Sequence, residues 1–216
     1  TPGVDPEDAH YTEEELKTGV NEGHRFKRKC ASHAQGSAGI LNAVRAGMDS
    51  IEHGIFLTQE CLESMLEKKT FLVPTLSAVN NIFINRKNGI PNFIVEKTLR
   101  IRERHHKSIK MFYEAGGKIA MGTDAGTPFN VHGKNLQELK FMVDLGISHK
   151  DALQISTVNA AELMGLSDRG KIREGDFADL ASTALTISLA PGRPPLALCP
   201  RLPLGLLALC FLSLRC

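Results

Sequence analysis

The chain has 216 residues, 42% of them apolar and 23% charged, with a formal net charge of +2 and a mean hydropathy of −0.12. That apolar fraction is enough to build a core, which excludes disorder as a whole-chain description. Composition also excludes collagen, coiled-coil and disulfide-scaffold classes, and the charge balance leaves no basic footprint for nucleic acid.

The charge is unevenly placed. No Asp, Glu, Lys or His follows Asp179, and Arg193, Arg201 and Arg215 are the only charges in residues 181–216. Of five Cys, three (Cys199, Cys210 and Cys216) lie in that tail. Cys30 and Cys61 form no C-x-x-C pattern, so neither a disulfide framework nor a zinc knuckle is expected. A reducing, cytoplasmic setting is the default expectation. The chain opens on Thr1-Pro2-Gly3-Val4-Asp5-Pro6, which reads as a loop entered in mid-domain and raises the expectation of a fragment.

Thr12 and Glu15 form a capping-box pair, and Leu16 and Val20 follow at helical spacing, predicting a helix to about Phe26. Cys30-Ala31-Ser32 is a buried-strand candidate. Gly36 to Ala46 reads as a helix through Ile40, Leu41 and Val44, ended by Gly47. Asp49-Ser50-Ile51-Glu52 is a second short strand. Thr58 can cap a helix through Cys61, Leu62, Met65 and Leu66. Phe71-Leu72-Val73-Pro74 is a third strand with proline at its exit. A long helix carries Ile94, Thr98, Ile101, His105, Ile109 and Phe112, and Gly116-Gly117 stops it. Lys118-Ile119-Ala120-Met121 is a fourth strand. Leu136, Leu139 and Val143 mark a helix ended by Gly146, and Ser148 starts another that runs to about Met164.

Strands alternating with helices imply β-α-β units and a parallel sheet. Both a small open sheet and half of an eight-stranded barrel fit this pattern. The tail differs: residues 181–216 hold 11 Leu and 5 Pro. The apolar stretch from Leu202 to Leu214 falls short of the roughly 20 residues a membrane span needs, so no membrane association is expected. An aberrant, disordered or loosely collapsed terminus is expected instead.

Three polar residues sit where strands end. His33 follows the first strand, His53 the second and Asp124 the fourth. In parallel α/β barrels such strand ends and their loops build the active site. Two imidazoles and a carboxylate are suitable ligands for a divalent transition metal. Singly, each residue is better explained by a structural hydrogen bond or a turn; their shared position in successive units is what points to a site. His132, in the loop after Asp124, either reaches a substrate or anchors the loop. His105 and His106 lie mid-helix, one packed and one solvated. No P-loop, G-x-G-x-x-G or G-x-S-x-G occurs, which argues against nucleotide binding and an α/β-hydrolase triad.

Ala31-Ser32-His33-Ala34, Ser50-Ile51-Glu52-His53-Gly54 and Met121-Gly122-Thr123-Asp124-Ala125-Gly126-Thr127-Pro128 resemble the fifth, sixth and eighth strand motifs of the amidohydrolase superfamily. Asn159 to Gly165 and Gly170 to Leu180 add to the likeness, which spans about residues 3–180 and stops there. Within the superfamily the chain is similar to the imidazolonepropionase-like branch that includes Xaa-Pro dipeptidases.

The resemblance implies the C-terminal half, strands five to eight, of a metal-dependent (β/α)8 TIM-type barrel over residues 1–165. Residues 166–180 would then begin the return into a small β-sandwich, with residues 181–216 as the aberrant tail. It implies His33, His53 and Asp124 as metal ligands, zinc as the divalent ion, and one or two ions in an intact protein. Asp124 would also take the proton of the attacking water and deliver it to the leaving nitrogen. The family's H-x-H pair and carboxylated lysine have no counterpart in this sequence. The implied activity is hydrolysis of an amide bond in a small substrate, an Xaa-Pro dipeptide above all, with the fragment inactive alone. Self-association into a homo-oligomer is left open. The alternative is a non-catalytic α/β remnant or interaction module.

Overall fold

The computed structural model describes residues 5–177 and residue 179. The chain divides into two units, Thr1–Phe177 and Ala178–Cys216. The expectations for residues 181–216 lie outside the described residues. Residues 166–177 run as turns and bends.

The first unit alternates strand and helix. Its elements are α1 (Glu13–Arg25), β1 (Ala31–Ala34), α2 (Ser37–Ala46), β2 (Ser50–His53), α3 (Gln59–Lys68), β3 (Phe71–Val73), α4 (Leu76–Ile84), α5 (Asn92–Glu114), α6 (Gln137–Asp144), α7 (His149–Gln154) and α8 (Ala160–Leu163). The strands form one parallel sheet in the order β1-β2-β3. Ala34 stands opposite His53, and Glu52 opposite Val73. The Thr12–Glu15 capping box starts α1, and Gly47, left-handed at φ 96°, ends α2.

The expected fourth strand is reduced to a single parallel bridge between Leu72 and Ile119. Leu72 donates to the Lys118 carbonyl at 2.9 Å, and Ala120 donates to the Leu72 carbonyl at 3.0 Å. The next rung would need an amide from residue 74, and Pro74 has none. On the far side of residues 118–121 a helix supplies the partners. Met121 donates to the Ile155 carbonyl at 3.3 Å, and the Asn159 side chain donates to the Ile119 carbonyl at 2.8 Å. These two residues bound a π-helical turn, Ile155–Asn159. It splits the single helix expected from Ser148 to Met164 into α7 and α8.

The core lies between sheet and helices. All of β3 is buried, and Ile40, Val44, Ile51, Met65 and Leu72 are fully enclosed. Each such side chain contributes roughly 1.5–3 kcal/mol relative to exposure. Gly54 has φ +60°, and a Cβ there would meet Leu72 Cδ1 at 2.5 Å. The positive φ and the packed Leu72 side chain together favour glycine here. Among the described residues no helix is long and apolar enough to cross a membrane.

Helix α4 was not anticipated. Leu76 to Asn81 are all buried, so Ser77, Asn80 and Asn81 recur at helical spacing without marking a solvent-facing side. Its start also lacks a local cap: Thr75 precedes it with φ 48° and makes no side-chain cap bond. The cap comes instead from Glu138 on α6. Its carboxylate accepts from the Leu76 amide at 2.6 Å, the Ser77 amide at 2.7 Å and the Ser77 hydroxyl at 2.5 Å. Burial pushes this carboxyl up to about 7 against the pull of its hydrogen bonds to Ser77 and Leu76.

A raised carboxyl pKa adds stability that is complete below its ordinary value and is lost as pH rises through about 7. Glu138→Gln should cost about 1–3 kcal/mol, because one of the two acceptor oxygens becomes an amide nitrogen facing donors at the start of α4. Denaturant unfolding on both sides of that pKa checks this. The loss should be larger on the acidic side, since the variant lacks the pH-dependent part.

Candidate metal centre

His33 and His53 come from neighbouring parallel strands. Their rings meet edge to face with centroids 4.6 Å apart, and His33 Nδ1 lies 2.8 Å from His53 Nε2. Strand register alone does not produce this contact, because His33 pairs with Glu52 rather than with His53. The chain turns at His53, which has φ 72°. A left-handed backbone at a non-glycine residue costs on the order of 1–3 kcal/mol and persists only where the surroundings hold it.

Two groups hold His53. The Thr75 hydroxyl, at the end of β3, lies 2.6 Å from His53 Nδ1. His105 on α5, fully buried, has Nε2 at 3.1 Å from the His53 carbonyl. A carbonyl only accepts, so His105 carries its proton on Nε2. Burial, reinforced by the adjacent His106, lowers His105 to about 4. Burial likewise drives His53 well below the usual imidazole range, with His33 and His105 adding to the effect. His33 is also lowered by desolvation, partly offset by the negative charge of Asp124. Both facing rings are therefore neutral near pH 7, the form in which imidazole binds metals.

Asp124 is a second left-handed strand-end residue, with φ 52°. Its charge reaches His33 and Glu52, whose own burial is the main reason that its carboxyl rises to about 7. The Asp124 carboxylate does not close on both imidazoles. Among the described residues only His24, Cys30 and Asp49 bring three ligand atoms within 4.8 Å of one another. That trio is already satisfied. Asp49 accepts from His24 and the Cys30 amide through one oxygen and from Lys29 through the other, each at 2.8 Å. It ties the end of α1 to the starts of β1 and β2, at the opposite end of the strands from His53. His132 is exposed, and its Nε2 lies 3.9 Å from where a Cβ on Gly126 would stand.

The donor set at His33 and His53 fits a transition-metal ion. Nitrogens each about 2.0–2.1 Å from a common zinc stand about 3 Å apart, close to the spacing of the two rings. Thr75 occupies the other nitrogen of His53, the kind of outer contact that fixes a ligand's tautomer and aim. Motif reading did not find Thr75, His105 or Asn130, whose amide lies against the Asp124 carbonyl. Thr75 was within reach of the strand-end argument, since it lies two residues past β3 while His53 is the last residue of β2.

A model of the amidohydrolase family matches residues 3–202, and so runs beyond Leu180, where the likeness of motifs stops. Ochratoxinase of Aspergillus niger is 32% identical over 178 residues, which make up 81% of this chain and 36% of that protein. A Xaa-Pro dipeptidase with methionine bound in its active site superposes with a TM-score of 0.71 at 35% identity. That match covers 78% of this chain and 42% of the other. A prolidase complexed with N-methylphosphonate-L-proline gives a TM-score of 0.75 at 26% identity, covering 83% and 44%. The chain thus spans less than half the length of each of these proteins.

Thr75→Val removes the hydroxyl from His53 Nδ1 and keeps the side-chain shape. Zinc affinity, measured by competition with a chromophoric chelator, should fall about 10–100-fold. Thr75→Ser should restore most of it.

Proposed function

The chain belongs to the amidohydrolase family, and from that premise we propose that it carries part of the centre of a metal-dependent hydrolase. The reaction is cleavage of a C–N bond in a small amide, with Xaa-Pro dipeptides as the substrate class and the cytoplasm as the setting. The observation that carries this reading is the 2.8 Å contact between His33 Nδ1 and His53 Nε2.

In this reading β1, β2, β3 and residues 118–121 are strands five to eight of a (β/α)8 barrel, with the division at 165 and 180 as expected from sequence. His33 and His53 would hold the ion, zinc by preference, and Asp124 would complete its ligands. A divalent ion held there supplies Lewis acidity that acidifies a water and polarises an amide carbonyl. Asp124 accepts the water's proton and returns it to the leaving nitrogen. Thr75 and His105 keep His53 aimed, and His132 touches the substrate from the loop beyond Gly126. The chain alone is inactive or nearly so. One observation favours the second reading, a non-catalytic α/β module: Asp124 does not form a mutual cluster of three ligand atoms with the two imidazoles.

Zinc loading followed by an Xaa-Pro dipeptide assay separates these readings. Near-stoichiometric zinc with turnover close to background is the expected result. Robust turnover abolished by His53→Ala would show that the chain is active alone. No zinc uptake would favour the non-catalytic module.

A further inference from the structure

We infer that Asn130 is a positioning residue for Asp124. The inference rests on the proposed role of Asp124, but its geometric content stands apart from any ion. Asp124 has φ 52°, a left-handed conformation that is uncommon outside glycine, less so for Asp than for most residues, and that hydrogen bonds to the loop favour. Asn130 supplies such bonds. Its side-chain Nδ2 donates to the Thr123 carbonyl at 2.5 Å, to the Asp124 carbonyl at 3.0 Å and toward Thr127 Oγ1 at 3.2 Å. Its main-chain amide donates to the Thr127 carbonyl at 2.9 Å, and its carbonyl accepts from the Gly126 amide at 2.7 Å. The Thr127 hydroxyl adds a second bond to the Asp124 carbonyl at 3.1 Å.

Every hydrogen-bonding contact of Asn130 named here therefore falls on residues 123–127. Asn130 is only 4% exposed, so water does not readily replace these bonds. The chemistry is specific to an amide. Two carbonyl oxygens face one nitrogen, and only a group with two N–H donors satisfies both. A carboxylate in the same place would set oxygen against oxygen. The loop is thus a clasp closed by the Asn130 amide with help from the Thr127 hydroxyl, and it holds the backbone from which the Asp124 carboxylate projects.

The test compares the full chain with Asn130→Asp, Asn130→Ser, Asp124→Asn and the Asn130→Asp/Asp124→Asn double variant. The three-bond amide coupling and Cα chemical shift of Asp124, read by NMR without metal, report its backbone conformation. Both should leave the left-handed range in Asn130→Asp and move part of the way in Asn130→Ser, the milder change should the first variant not fold. Zinc affinity should fall about tenfold or more in Asn130→Asp. In the Asp124→Asn background the same change should have little further effect, because it acts through a group already removed. An Asp124 that stays left-handed in a folded Asn130→Asp chain overturns the inference. So does an equal loss of zinc affinity in both backgrounds. A wild-type chain that takes up no zinc, with Asp124 still displaced by Asn130→Asp, sinks the proposed function and upholds the clasp.

Discussion

The contact between the imidazoles of His33 and His53 depends on backbone geometry rather than on pairing. Parallel register sets His33 against Glu52, so a regular strand through residue 53 would not bring the two rings together as they are found. The left-handed turn at His53 makes the difference. That turn is unfavourable by itself, and much of what surrounds it compensates. Gly54 follows in the same conformation with Leu72 against it. His105 holds the His53 carbonyl from behind, and Thr75 holds the free ring nitrogen.

The same logic extends outward. Thr75 is itself left-handed, and its hydroxyl is spent on His53 rather than on the helix that it precedes. Helix α4 then needs a cap from elsewhere, and Glu138 provides it from α6 across 62 residues of sequence. The cost of aiming one imidazole is thereby spread over β2, β3, α4, α5 and α6. At the neighbouring strand end Asn130 performs an analogous task for Asp124 within a single loop.

Much of this fold was legible in the sequence for local reasons. The Thr12–Glu15 pair, Gly47 and the spacing from Ile94 to Phe112 mark their elements by capping, chirality and period, and the structure has α1, α2 and α5 there. The strand-end rule singled out His33, His53 and Asp124, and the structure sets the first two in contact. What escaped depends on distant partners. The first six residues of α4 are buried, and no local side chain caps it. Residues 118–121 read as a strand by composition, but Pro74 on one side and the π-helical turn on the other limit them to one bridge. The roles of Thr75, His105 and Asn130 follow from bonds to residues whose placement only the folded chain specifies. The motifs also suggest a tighter triad than the folded chain forms, since they report which groups share a rim and not how far apart they stand.

The proposed centre requires the two strand-end imidazoles to bind one ion together. X-ray absorption at the zinc edge of the loaded chain counts imidazole ligands directly. Two are expected in the wild-type protein and one after either His33→Ala or His53→Ala. A spectrum dominated by sulfur, or one unchanged by both substitutions, would contradict it and move the ion away from these strands.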